Sequence, residues 1–358
     1  MTLAIRTLHL TNGSSIVPLM QEAGIEGTIV PWNDLLHEGP VPSGLGVAAL
    51  RDARANFLAG CGWGSRDEIL RDLAARDAAL DSALGGSDHA PVHSAARTRV
   101  DEIVLWFEHD LYDQLQLIQI LERLPVDGAV RLTAVGAPTY LGELPATEYP
   151  ALYANRSVLT SAEQLAARDA WQAFRSSDPR DIVAALPRVT ALPHLAPALL
   201  RHLQQFPSVT NGLSRTEQQT LEVIASGVSN LREVYVKANH DREEAKFMGD
   251  AGFLAHISAL LNGSRPLIGT LEPGTLEPGT LEPGTLEPGT LEPRTLEPWN
   301  VETLELSVGL TPDGHRVVNG ELDRVAFCGI DRWLGGVHLQ GTGPVWRWDK
   351  DRQSLRLL

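Results

Sequence analysis

The stretch Glu102-Ile-Val-Leu-Trp-Phe-Glu-His-Asp-Leu-Tyr-Asp-Gln-Leu-Gln-Leu-Ile-Gln-Ile-Leu-Glu-Arg-Leu124 constrains the fold most, because its periodicity changes in the middle. Ile103 to Phe107 is an unbroken apolar run, which suits a strand covered on both faces. From Leu111 the apolar residues recur at Leu115, Ile118 and Leu124, the spacing of one buried helix face. Strand followed by helix leaves Glu108, His109 and Asp110 at the joint. In a parallel α/β sheet such joints lie at the carboxyl ends of the strands, where ligands bind. Asp110 and Asp113 also suit the first turn of the helix, where carboxylates cap free N–H groups and favour the dipole.

Similar polar joints recur upstream. Leu3 to Leu10 reads as a strand, and Thr11-Asn12-Gly13-Ser14-Ser15 as a turn into a short helix ending near Ala23. Gly13 lets the backbone approach a ligand, and Ser14 or Ser15 can cap a helix whose N-terminus attracts an anion. A capped turn without a ligand uses the same residues, and the spacing matches neither a Walker loop nor a dinucleotide fingerprint. Gly27 to Trp32 reads as a second strand, with Asn33-Asp-Leu-Leu-His-Glu-Gly-Pro40 as the loop after it.

These joints predict a parallel, Rossmann-like sheet with Asn12, Gly13, Ser14, Asp34, Glu38, Glu108, His109 and Asp110 along one rim. The grouping has the residue types of a hard-metal or general acid/base site. Local capping or pairing of Asp34 and Glu38 is the competing explanation. His109, between two carboxylates, is expected to favour its protonated form and to contact an anion or act as a general acid. No motif secures a metal ion, a cofactor or a nucleophile.

Residues 1–150 form the expected α/β domain, with Ser65 and Glu68 as a capping box, Val130 to Val135 as a strand and Thr139 to Leu144 as a loop on the rim. Residues 151–205 read as a helical connector, with one helix opening at Ser161 and Gln164 and with Trp171 and Phe174 in its core. Residues 206–268 and 299–358 suggest a helix-turn-helix or winged-helix-like α+β module. Its first helix follows the capping box of Ser214 and Glu217, and further helices are expected over 230–238 and 250–261. Strands are expected over 301–310, 314–319, 336–339 and 345–348, with Pro312-Asp313-Gly314 as a hairpin turn. Trp333, Trp346 and Trp348 read as packing residues. Residues 269–298 are six copies of Gly-Thr-Leu-Glu-Pro, with Arg294 replacing the last Gly. Proline at every fifth residue blocks helix and sheet ladders, so this stretch reads as a disordered insertion.

The net charge of −15 is unevenly spread, with 20 acids against 10 bases in residues 1–150. That half is a poor match for phosphate backbones, which need Lys and Arg. The C-terminal module, repeats excluded, has 15 acids against 13 bases, which leaves weak DNA or protein binding open. Cys61 and Cys328 are too few for a disulfide framework or a four-thiolate zinc site. No run approaches the roughly 18 apolar residues of a membrane helix and no signal precedes Leu3, so a cytosolic protein without a membrane partner is expected.

Several segments together resemble a bacterial family defined by the domain of unknown function 1835. They are His9-Leu-Thr-Asn-Gly-Ser-Ser15, Trp32-Asn-Asp-Leu-Leu-His-Glu-Gly-Pro40, Trp106-Phe-Glu-His-Asp-Leu-Tyr-Asp-Gln-Leu115, Asn211-Gly-Leu-Ser-Arg-Thr-Glu217 and Asp331-Arg-Trp-Leu-Gly-Gly-Val-His338 with Trp346-Arg-Trp-Asp349. The resemblance implies membership and no activity, and the proline-rich repeats depart from the family's pattern. Leu213 to Ile224 is also similar to the first helix of the fourth region of sigma factors. Two functional readings follow from the residues. One is a ligand-sensing α/β domain for a small anion, coupled to a winged-helix-like module that binds DNA or protein. The other is a hydrolase or phosphotransfer enzyme using Asp34, Glu38, Glu108, His109 and Asp110.

Overall fold

The computed structural model describes residues 6–86, 99–126, 128, 130–262, 265–271, 291–292 and 301–358. Strands and helices alternate first: β1 (Thr7–Thr11), α1 (Val17–Glu22), β2 (Thr28–Pro31), β3 (Gly39–Pro40), α2 (Val47–Gly60), α3 (Arg66–Ala83), β4 (Glu102–Trp106), α4 (Leu111–Arg123) and β5 (Arg131–Ala134). Then come α5 (Tyr149–Ala154), β6 (Ser157–Val158), α6 (Ser161–Phe174), α7 (Arg180–Ala185) and α8 (Leu195–Leu203). The helices α9 (Arg215–Ala225), α10 (Leu231–Asn239) and α11 (Asp250–Leu261) precede β7 (Ile268–Leu271), β8 (Leu291–Glu292) and β9 (Val308–Leu310). The chain ends with α12 (Pro312–Val318), α13 (Arg324–Cys328), β10 (Ile330–Gly335), β11 (Val337–Gly341), β12 (Trp346–Asp349) and β13 (Ser354–Leu357).

The main sheet is mixed and mostly parallel, in the order β2-β1-β4-β5-β6, with β6 antiparallel at the edge. From β1 the chain steps outward to β2, then returns to the other side of β1 at β4. Strand order therefore reverses between β1 and β4, which opens a crevice at their carboxyl ends. Period-two alternation divides the strand side chains between two layers. Leu8, Leu10, Ile103 and Leu105 enter the main core with α4, while Val104 and Trp106 pack with Ile16, Met20 and Tyr149.

Helix α4 is buried on more than the single face its apolar spacing predicts, because Gln114, Gln116 and Gln119 are buried as well. Each has a partner. Gln114 Nε2 donates to the Glu108 carbonyl at 2.6 Å, Gln116 Oε1 accepts the Asp34 N–H at 3.3 Å, and Gln119 Oε1 accepts from Trp32 Nε1 at 2.5 Å. The main core runs on from Leu8 to Leu355, so the C-terminal elements share it with the sheet. β10 pairs in parallel with β3, Leu334 opposite Gly39, and the Gly336 N–H bonds to the Phe174 carbonyl at 3.0 Å. Gly336 is required there, since an added Cβ would lie 2.0 Å from the Arg175 carbonyl oxygen.

The structure corrects several local expectations. Ser14 and Ser15 do not cap α1, whose N-cap is Ile16 without a side-chain bond, and a six-residue helix there offers little dipole to an anion. Helix α6 is capped one residue earlier than expected, by Thr160 and Glu163. Pro312-Asp313-Gly314 opens a helix and not a hairpin, because Thr311 accepts the Gly314 N–H at 3.0 Å and proline suits the first helical turn. Residues 314–319 are thus helical or turn, and β10 and β13 are strands without a sequence-based counterpart. Within the repeats, Gly269, Thr270 and Leu271 belong to buried β7, and Leu291–Glu292 pairs with it as β8. The remaining repeat residues lie outside the described ones.

Asp34 organises the helical layer beside β2. Its carboxylate is fully buried between Arg54 of α2 at 2.9 Å and Arg76 of α3 at 3.1 Å. Arg54 also donates to the carbonyls of Leu35 at 2.8 Å and Glu38 at 2.7 Å, and Arg76 to that of Trp32. Removing one member of a buried ion pair leaves an uncompensated charge. Asp34→Ala should therefore lower unfolding free energy by about 3–5 kcal/mol in urea titration. Asp81→Ala, which removes a 61% exposed partner of Arg123, should stay within ~0.5 kcal/mol.

Candidate functional site

The crevice between β1 and β4 is closed at the top by the first turn of α4. Asp110 is the N-cap, and its Oδ1 accepts the Asp113 N–H at 3.2 Å. Asp113 then bridges the two strand ends: Oδ1 accepts the Glu108 N–H at 2.7 Å, and Oδ2 accepts from Asn12 Nδ2 at 2.9 Å. Tyr112 Oη donates to the Asn12 carbonyl at 3.1 Å, and Glu108 Oε1 accepts the Leu141 N–H at 2.6 Å. Glu108, Asp110 and Asp113 each offer an oxygen within 4.8 Å of the others'.

Burial sets the protonation of this trio. It pushes Glu108 up to about 7, with the charges of Asp113 and Glu143 adding to the effect. Asp110 is also raised to about 7 by burial and by Glu108, and Asp113 is raised well above its ordinary value by burial and by Asp110. Three adjacent carboxylates without a cation cannot all ionise near neutral pH, so they share protons. A hard cation would hold the same oxygens and release those protons.

The mouth of the crevice is polar and half-exposed. The His109 ring lies 5.0 Å from that of Tyr140 and 5.9 Å from that of His194, between ring centroids. Tyr140 Oη accepts the Lys246 N–H at 2.5 Å, and Lys246 Nζ pairs with Glu143 at 3.2 Å. His109 was expected to be held protonated by its carboxylate neighbours. The structure lowers its pKa instead, through partial burial and the proximity of His194. Glu108 and Asp110 bond backbone N–H groups, leaving the imidazole at the rim.

Of the residues expected at one site, Asn12, Glu108 and Asp110 come together around Asp113, and His109 lies on the rim against Tyr140 and His194. Gly13 and Ser14 flank it. A Cβ on Gly13 would lie 3.3 Å from Asn33 Oδ1, and the Ser14 hydroxyl accepts from Asn33 Nδ2 at 3.1 Å. Asp34 and Glu38 do not join the trio. The arginines hold Asp34, and Glu38 sits in a separate buried network where His256 Nε2 is 2.9 Å from its Oε1. Around that network Arg332 bonds Glu217 at 2.6 Å, and burial drives His37 down to about 4 and His202 to about 3. Asp113 is the one member of the trio that the sequence suggests only as a helix cap. The 139–144 loop does line the rim, through Tyr140 and Leu141, whereas His194 and Lys246 arrive from distant segments without any local signal.

Neither a family model nor a curated protein matches the chain.

The shifted carboxyls make a testable pH dependence. A carboxyl whose folded pKa lies above its unfolded value binds more protons when folded, so its contribution is present below the unfolded pKa and lost as pH rises through the folded one. For Glu108 and Asp110 this loss spans about pH 4 to 7 in chelator-treated protein. His37 and His202, both lowered, act in the opposite direction, so the informative quantity is a difference. The stability of Glu108→Gln minus that of the parent should grow as pH is raised from 4.5 to 7.5. A flat difference in urea midpoints would show that Glu108 ionises normally.

Proposed function

We propose that the crevice holds a divalent cation such as Mg²⁺ or Mn²⁺ on Glu108, Asp110 and Asp113, and that the protein uses it in hydrolysis or transfer of a phosphoryl group. The observation that carries this reading is the three carboxylate oxygens within 4.8 Å of one another at the strand-order reversal. All-oxygen donors suit hard cations, which in turn commonly hold phosphate oxygens. In this reading His109, whose pKa is lowered, takes a proton from a nucleophilic water, and Lys246, over the Tyr140 ring, contacts an anionic substrate. The resemblance to the domain of unknown function 1835 family contributes no chemistry to this reading. In calorimetry near pH 7.5, Mg²⁺ or Mn²⁺ should bind the parent and release protons, and Asp113→Asn should weaken binding at least tenfold. His109→Ala should keep cation binding while cation-dependent release of phosphate from model esters falls about 10²-fold or more. Equal cation affinity in the parent and in Asp113→Asn would rule the site out.

A second reading keeps the α/β domain as a sensor of a small anion, coupled to a winged-helix-like module. It is supported by the order of elements, three helices α9, α10 and α11 followed by antiparallel β7 and β9. Against DNA as its partner, α11 contains no Lys or Arg and buries Phe253, Leu254, His256, Ile257, Leu260 and Leu261. A gel shift with the full chain should accordingly show weak binding at low salt that vanishes at moderate salt. Tight binding that survives moderate salt would restore DNA as the partner.

A further inference from the structure

Five arginines, Arg51, Arg54, Arg76, Arg123 and Arg175, line one cavity of about 160 Å³ between α2, α3, α4 and the end of α6. Asp77 and Glu122 share the lining, Asp34 pairs with Arg54 and Arg76, and the largely exposed Asp81 pairs with Arg123. Four carboxylates against five guanidinium groups leave positive charge in excess around the cavity. The network is also incompletely satisfied. Arg76 is 6% exposed, yet its Nε, like that of Arg51, is buried with no hydrogen-bond partner. Buried donors are ordinarily satisfied, so these two are available to an acceptor that enters the cavity.

The N-terminus of α2 opens onto the same cavity. Leu45, Gly46 and Val47 line it, the N-cap Gly46 has no side chain to cap the helix, and the first turn carries no acid. The N–H groups of the first turn of a 14-residue helix, which no side chain caps, therefore face the same cavity as the arginines. This place is remote from the carboxylate trio. Gln119 and Glu122 line the cavity from the C-terminal half of α4, whereas Asp110 caps its N-terminus, about 14–18 Å away along the axis.

We propose that this cavity is an oxyanion site that takes a phosphate group, either as the free ion or as the terminal phosphate of a small ester. Guanidinium forks and helix N–H groups are the donors that match tetrahedral phosphate. The volume fits one such group, and the remainder of an ester would leave past the exposed Val47 at the mouth.

The test uses the full chain in EDTA, so that it is independent of cation binding at Glu108, Asp110 and Asp113. Sodium phosphate and methyl phosphate are titrated by calorimetry and by thermal shift, against sodium chloride at equal ionic strength. Phosphate should raise the melting temperature saturably where chloride does not. Two variants locate the effect. Arg51→Gln removes a half-buried donor and should weaken binding at least tenfold. Gly46→Asp has room for its Cβ and an extended backbone suited to an N-cap, so it should stabilise the unliganded protein while its carboxylate displaces phosphate. Its affinity should also fall at least tenfold. Binding of both probes identifies the free ion as sufficient, and binding of methyl phosphate alone identifies an ester's terminal group. If neither probe exceeds chloride, or if either variant keeps the parent's affinity, the cavity is not an oxyanion site.

Discussion

Asp34 and Asp113 are the same residue type at two buried positions, and the cations beside one of them decide how this molecule is organised. Burial alone raises the pKa of Asp34, but the charges of Arg54 and Arg76 outweigh it, so Asp34 is lowered and ionised. That ionised carboxylate locks α2 and α3 onto the loop after β2. Asp113 has neutral donors instead, Asn12 Nδ2 and the Glu108 N–H, and with Asp110 beside it the same burial raises its pKa. Charge neutralised within the chain makes structure at Asp34. At Asp113, with no cation beside it, burial favours the protonated form instead.

Helix α4 carries this contrast along its length. Its first turn presents Asp110 and Asp113, and its last turn Arg123, the signs that a helix dipole favours. The dipole is nevertheless the smaller effect. A favourable terminal charge contributes at most ~2 kcal/mol, whereas full burial can shift a carboxyl by roughly 3–5 pK units. The N-terminal carboxylates are therefore raised despite the dipole. At the other end Arg123 faces two acids, Asp77 at 2.5 Å and Asp81 at 2.9 Å, and joins the arginine-lined cavity. One helix thus separates a pole of excess acid from a pole of excess base.

What was legible in the sequence is what short-range periodicity records. The apolar run of β4, the change of spacing into α4 and the capping boxes of α3 and α9 all lie within a few residues, and the parallel sheet follows from them. Local spacing also placed Glu108, His109 and Asp110 at a strand end beside Asn12. It could not show that Asp34 answers to arginines 20 and 42 residues away, or that Glu38 meets a histidine 218 residues away. The protonation of His109 failed for a related reason. Adjacency in sequence put carboxylates beside it, but each carboxylate bonds a backbone N–H, and the ring lies 5.9 Å from that of His194, whose proximity helps to lower its pKa. At Pro312-Asp313-Gly314 the same residues satisfy a turn and a helix start, and the Thr311 cap chose the helix.

The long-range contacts that the sequence hid are also those that join the site to the rest of the chain. β3, only two residues long, is held by β10, and Glu38 just before it by His256 of α11. On the rim, Tyr140 and Glu143 are held through Lys246, in the segment between α10 and α11. The loops that frame the crevice therefore take their positions from the C-terminal third. Because His256 is buried and Glu38 is mostly so, separating the two halves would expose their hydrogen bond together with apolar core. The C-terminal elements are thus part of the framework of the site, and a ligand bound at the crevice would stabilise their docking as well as its own loops.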